Sequence, residues 1–343
     1  MHRLNNFDLI RILAAMCVLV SHQHALSGLP EPSVLGLDSL GGIGVLTFFS
    51  ISGFLVAQSW VADPSVWRFA VKRLLRIWPG LAVAILLTAL VLGPAVSTLT
   101  VREYFEDPLL GSYARNLMFD FRDQLPLAFT GNDRPTLING SLWTIPLELQ
   151  CYVALGILGL LGCLRLRWLL PSLSVGAALL VYLVVAPIYF QTPERIPLRA
   201  DQAYLLHFGL FFFAGASLNQ LRLADHPRHA LAVLIGFYLL GALAFVVGTP
   251  LLALWLVLPV SVVLAGQAGT PVLRRAGRFG DLSYGLYIYA FPVQQTLIWQ
   301  LKDQLSWGAL LALTIATTTV LAFASWHLVE KRALRLKPGR SND

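Results

Sequence analysis

Polar and apolar positions along this chain sort into long blocks, not into the short alternation of half-buried strands. Stretches of mainly apolar residues recur near 7–27, 42–62, 80–98, 142–163, 168–190, 204–221, 229–247, 250–267, 282–301 and 307–329. A helix rises about 1.5 Å per residue, so about 20 apolar residues cross a hydrocarbon core of about 30 Å. The pattern predicts an all-α, polytopic membrane protein with about ten transmembrane helices. The least distinct division lies between the seventh and eighth, where only Gly248, Thr249 and Pro250 mark a turn. One long region, about 99–140, lacks such a block. Tyr104, Tyr113, Phe119, Phe121 and Phe129 stand there among scattered charges, which predicts short amphipathic pieces within one loop.

Composition agrees with lipid as the main solvent. Hydrophobic residues make up 57% of the 343 positions and charged residues 13%, against about 25% charged in soluble domains. The net charge of +7 raises nucleic acid as a partner, but the placement of the charges favours topology. If the apolar blocks alternate across the membrane, seventeen Lys and Arg fall on one side and seven on the other, with Arg11 inside the first helix. Positive loops stay cytoplasmic. Both termini are therefore expected inside and the 99–140 loop outside, in an inner (cytoplasmic) membrane. Arg3 and the apolar run after it imitate a signal peptide. However, Asp8 and Arg11 interrupt its start and no Ala-x-Ala site follows near His22–Gly28, so a retained helix is expected. Cys17, Cys151 and Cys163 lie in apolar stretches without a Cys-x-x-Cys pair, so no metal site or disulfide framework is expected. Residues 1–337 read as one integral-membrane domain and 338–343 as a cytoplasmic tail.

Ionisable groups at membrane depth are costly and mark function by default. Arg11 and His22 are eleven residues apart, which places them on one helix face about 16 Å apart along the axis. Arg11 otherwise reads as a snorkelling anchor and His22 as a packing histidine. His24 is turned away and reads as structural. In Lys72-Arg73-Leu74-Leu75-Arg76, taken as a cytoplasmic loop, Arg73 and Arg76 are neighbours that could grip phosphates with forked guanidinium groups, or simply serve topology. Asp8 is a further charge at the start of helix one. In Ser141-Leu142-Trp143-Thr144-Ile145-Pro146-Leu147-Glu148, Pro146 is expected to kink a helix. Glu148, about 9 Å inside the external boundary, is expected level with His22, as the carboxylate that orients a histidine base.

These motifs together resemble the acyltransferase 3 family of bacterial membrane acyltransferases, which modify O-antigens, exopolysaccharides and other surface glycans. The marks are Arg11-x10-His22, Arg73-x-x-Arg76, Phe48-Phe49-Ser50-Ile51-Ser52-Gly53-Phe54, Leu142-Trp143-Thr144 with Glu148 and Tyr152, and Ser283-Tyr284-Gly285-Leu286-Tyr287 with Pro292. Many members carry a histidine where this chain has Ala290, and many append an external hydrolase-like domain, without which transfer falls to membrane residues alone. The resemblance implies an O-acyltransferase with acetyl-CoA or another acyl-CoA as donor substrate, no permanently bound cofactor, and a glycan or lipid-linked sugar as acceptor. It links His22, Arg11 and the Arg73–Arg76 pair to activity; from the residues themselves, His22 and Glu148 are expected to be catalytic, His22 as base or as the acylated group, with Arg11, Arg73 and Arg76 on acyl-CoA. Asp8, Ser52, Trp143 and Tyr152 are supporting candidates. The competing reading is a proton-coupled transporter or flippase of a lipid-linked sugar, in which His22, Glu148 and Arg11 form a relay.

Overall fold

A computed structural model describes residues 5–186, 200–221 and 227–339. Arg3, Arg195, Arg199, Arg222 and Arg340, five of the charges behind the expected sidedness, lie outside the described residues. So does the end of the 168–190 stretch.

The protein is a helical bundle. Helices α1 (Phe7–Leu26), α2 (Leu40–Ala62) and α3 (Val66–Leu87) open it, and a two-stranded hairpin, β1 (Ser33–Val34) with β2 (Asp38–Ser39), links α1 to α2. Short helices α4 (Val101–Glu106) and α5 (Pro108–Ala114) precede α6 (Thr144–Leu160) and α7 (Leu169–Leu180). Then come α8 (Ala200–Leu221), α9 (Pro227–Val246), α10 (Pro250–Gln267), α11 (Ser283–Leu301) and α12 (Trp307–Ser325). Among the described residues, six helical segments are long and apolar enough to cross a membrane, and Leu169–Val185 and Ala230–Val246 are shorter apolar helices. It is a multi-pass, all-α membrane protein.

Small residues let the central helix α2 sit close to its neighbours. A Cβ on Gly53 would strike the Phe212 carbonyl of α8, and one on Gly215 of α8 would strike the Ser50 carbonyl. Apolar side chains gain little by leaving lipid for one another. Close backbone packing through glycine is therefore a main source of helix–helix attraction here.

Two features differ from the expected layout. The third helix begins at Val66, not near residue 80, and runs on through a π turn (Thr88–Leu92) to Val96. At 31 residues it is about 46 Å long, well beyond a core of about 30 Å. Arg73 and Arg76 thus sit on a helix rather than in a loop. The π turn frees a backbone carbonyl, and the buried Tyr104 hydroxyl donates to Ala89 O at 2.8 Å.

The 99–140 region is a docked cap. Tyr104, Tyr113 and Phe129 are fully buried. Asn132 donates to Gln295 Oε1 at 2.7 Å, Gln295 donates to Leu137 O at 2.7 Å, and Asn139 donates to Ile288 O at 2.8 Å, tying the region into α11. Pro146 does not kink a helix. A 3-10 turn (Gly140–Trp143) leads into α6, so the proline falls in the first helical turn, where its missing N–H costs nothing.

Candidate active site

The turn between α2 and α3 anchors one wall of the site. Asp63 accepts from Arg68 Nη2 at 2.7 Å and pairs with Lys72. Those hydrogen bonds, Arg68 first and then Lys72, hold its carboxyl well below the usual range. Lys72 is thereby committed to Asp63.

Beyond it, α1, α2, α3, α6 and α11 enclose a cavity of about 1080 Å³. Arg11, Arg73 and Arg76 all line it, together with Ser52, Glu148 and Tyr152. They are not equivalent. Asp281, just ahead of α11, receives Arg76 Nη2 at 2.6 Å and Arg11 Nη1 at 3.3 Å on the same oxygen. Ser283 donates to its other oxygen at 2.6 Å. Burial alone would raise the Asp281 carboxyl, but the charges of Arg76 and Arg11 outweigh it and hold it low. Arg76 also lies 3.8 Å from Glu330, a carboxylate only 2% exposed.

Arg73 is the exception. Among the described residues it makes no ion pair within 4 Å, and its Nε is buried without a hydrogen-bond partner. Its guanidinium lies 6.0 Å from the ring centre of Phe69 and 5.9 Å from that of Tyr152, within cation–π range. The expected pair of free arginines is therefore one available cation, Arg73, and one, Arg76, that shares the Asp281 carboxylate with Arg11. Asp281 was missed in the sequence because a lone carboxylate ahead of an apolar helix reads as a helix-end charge.

Glu148 is not the partner of His22. Its Oε1 accepts from Ser52 Oγ at 2.6 Å and from Tyr152 OH at 2.5 Å. The packing register of the helices explains the difference. Gly41 of α2 faces Ser21, Gly44 faces Ala14 and Val18, and the Phe54 and Phe7 rings are 5.6 Å apart. In that antiparallel register Ser52 lies roughly beside Leu9, so His22 is about 13 residues, or about 20 Å, further along α1. Gly140 packs on Phe291, whose ring centre is 5.1 Å from that of His22. It is thus Gly140 that shares the depth of His22, and Glu148 lies eight residues further on. The expectation failed because the chain is already inside the bundle at Asn139, held there by Ile288 O, so depth counted from residue 139 began too far out.

His22 stands apart from the residues lining the cavity. Its Nδ1 is buried without a hydrogen-bond partner. His24 Nδ1 is bonded to Val20 O at 2.9 Å and its ring packs on Trp307, consistent with a structural part. Between the cavity and His22 lie Thr144 and Tyr287, hydroxyls 2.6 Å apart and both lining the cavity. The remaining candidates divide. Ser52 and Tyr152 are at the site. Trp143 packs on Tyr204 and Phe208, ring centres 4.9 and 5.5 Å away. Asp8 lies against Gly277. Among the described residues no group of His, Cys, Asp or Glu is arranged to hold a metal ion.

The molecule thus has a charged cavity at the Arg11 end of α1 and a partly accessible histidine toward the other end. Comparison with known proteins gives this arrangement its context. A family model described as an acyltransferase domain matches residues 4–327. The chain is 34% identical to an O-acetyl transferase of Shigella phage Sf6, over all of both chains, and 30% identical to nodulation protein 10 of Rhizobium leguminosarum bv. viciae, over 98% of this chain and 94% of that one. No solved structure matches it. The chain belongs to this acyltransferase family.

Proposed function

We propose that this acyltransferase carries an acyl group, most simply acetyl, from cytoplasmic acyl-CoA to a hydroxyl of a surface or lipid-linked glycan. The observation that carries the reading is the contrast between Arg73 and its neighbours. A half-buried cation with no carboxylate within ion-pair distance suits an anionic ligand, and the cavity it lines has room for the donor's phosphates and arm. In this reading both termini and the Arg73 end of the cavity face the cytoplasm, where acyl-CoA is made. Arg73 takes a donor phosphate, and Arg11 and Arg76, held by Asp281, shape the cavity and its field. Glu148, with Ser52 and Tyr152, frames the donor arm and gives up the role of orienting His22. The thioester passes the Thr144–Tyr287 layer towards His22.

There the imidazole takes the proton of the acceptor hydroxyl as its oxygen attacks the thioester carbonyl. The C–S bond breaks, an ester forms, and the departing thiolate takes the proton back from the imidazolium. The phage relative is named for O-acetyl transfer, which supports acetyl as the group and oxygen as the acceptor atom. The transporter reading loses its relay, since Glu148 is bonded to Ser52 and Tyr152 and lies about 12–20 Å from His22 by helix geometry.

The test uses protein in proteoliposomes, labelled acetyl-CoA and a lipid-linked saccharide fraction. Wild type transfers label to saccharide. Loss of a general base costs about 10²–10⁴-fold in rate, so His22→Ala falls to background while retaining acetyl-CoA binding, and His24→Ala keeps most activity. Full transfer by His22→Ala would end this reading.

A further inference from the structure

His22 needs a group to favour its charged form in turnover, and Glu148 is too far away to be it. The outer end of α1 holds a different carboxylate. Glu31 lies between Pro30 and Pro32 in the segment that joins α1 to the hairpin. The fixed φ of Pro32, and the extended backbone that it imposes on Glu31, narrow the conformations open to this segment. The Glu31 side chain reaches back to α1 and its Oε2 accepts a hydrogen bond from Ser21 Oγ. Ser21 is fully buried and immediately precedes His22. On the far side, a Cβ on Gly41 would sit 2.9 Å from Ser21 and 3.8 Å from Glu31 Oε2. The absence of a side chain at Gly41 is therefore what admits this pair between α1 and α2. Leu40 N–H donates to Pro32 O at 2.7 Å, which closes the segment over the helix ends.

The groups that meet the histidine from α11 and α12 are uncharged. Phe291 meets it from α11. Gln294 of α11 is turned to Leu19 O and Gln23, and Thr314 of α12 also reaches Gln23. Asp38, next along the hairpin, faces Gly42, and its charge interacts with Glu31. Asp133, from the 99–140 cap, faces Gly28. Among the described residues, Glu31 is the carboxylate whose charge acts on the ring.

We propose that Glu31, fixed by Ser21, is a positioning residue that stabilises the imidazolium of His22 during acyl transfer. This rests on the proposed role of His22 as the base. No proton passes to Glu31, which contributes its charge alone. The hydroxyl proton goes to the imidazole and from there to the leaving thiolate. Glu31 is itself exposed, so it also marks the side from which an acceptor hydroxyl reaches the ring.

The experiment reads the histidine directly and needs no acceptor. Full-length protein in detergent is treated with brief pulses of diethyl pyrocarbonate, which reacts with neutral imidazole, and His22 modification is followed by mass spectrometry from pH 2.5 to 9. Glu31→Gln keeps an acceptor for Ser21 but removes the charge. Half-maximal reaction at His22 then shifts to lower pH by on the order of one unit, the size expected for loss of a nearby opposite charge. Glu31→Asp stays close to wild type, and His24 serves as an internal control that does not move. Ser21→Ala, which frees the carboxylate, shifts His22 in the same direction by less, and it decides the question if Glu31→Gln does not fold. An unchanged His22 profile in the folded charge-removal variant overturns the proposal. Because this readout is independent of turnover, an active His22→Ala protein would refute the base while leaving the electrostatic pairing standing, and the two failures remain separate.

Discussion

Arg73 and Arg76 are three residues apart on one helix, yet their replacement should have opposite signatures. Arg76→Met removes a partner from two carboxylates. Asp281 keeps Arg11 and Ser283, but Glu330, 2% exposed, keeps only the Ser325 hydroxyl at 2.9 Å. Removing one member of a mostly buried ion pair costs about 3–5 kcal/mol, because the other charge is left uncompensated. At about 2–4 °C per kcal/mol for a chain of this general size, the thermal midpoint falls by on the order of 10 °C. Arg73→Met strands no carboxylate within 4 Å, so the midpoint stays near wild type. Its loss appears in donor binding instead. One charge-assisted contact contributes about 1.5–3 kcal/mol, so the apparent acetyl-CoA requirement rises about ten- to hundred-fold. Cys17, Cys151 and Cys163 are free thiols, so a thiol-reactive dye can follow unfolding in detergent without an added probe. Arg76→Met combined with Glu330→Gln should recover part of the lost midpoint. If both single variants kept the wild-type midpoint and raised the donor requirement equally, the division into a structural and a ligand-binding arginine would be wrong.

Two further outcomes follow from packing and from charge. Gly53→Ala forces a methyl against the Phe212 carbonyl, so overpacking of about 1–3 kcal/mol should lower both the thermal midpoint and the yield of folded protein. Gly209→Ala, where a Cβ meets nothing, serves as the matched control. The Asp63 carboxyl is lowered in the folded protein by Arg68 and Lys72, whereas an unfolded aspartate titrates near about 3.9. Its contribution is therefore complete above about pH 4 and is lost as pH falls through the lower, folded value. The wild-type midpoint should drop on acidification below about pH 4, and Asp63→Asn should flatten that drop. Identical acid profiles would remove Asp63 as a contributor.

Much of this protein is legible without coordinates, because a bilayer leaves few choices. Backbone groups in hydrocarbon must bond within their own segment, so a block of apolar residues long enough to cross is a helix, and the chain writes those blocks openly. The rare charges inside them are equally visible. Residue type marks Arg11 and Glu148 inside such blocks, spacing marks the Arg73–Arg76 pair just ahead of one, and all four line the same cavity. What only the tertiary structure decided is which charge meets which. Helical periodicity fixes the face and axial spacing of Arg11 and His22 within α1, but depth across helices depends on where each segment enters the bundle. The cap carries Asn139 in to Ile288 before α6 begins, which moves Glu148 from the histidine to Ser52 and Tyr152. Asp281 finds Arg76 across 205 residues of chain, a pairing that no local spacing encodes. Glu31 reaches Ser21 only because a turn, two prolines and a bare Gly41 return an exposed segment to the end of its own helix. Single-helix geometry is short-range and repeats with the sequence, whereas ion-pair choice is a property of surfaces that meet only once the bundle has closed.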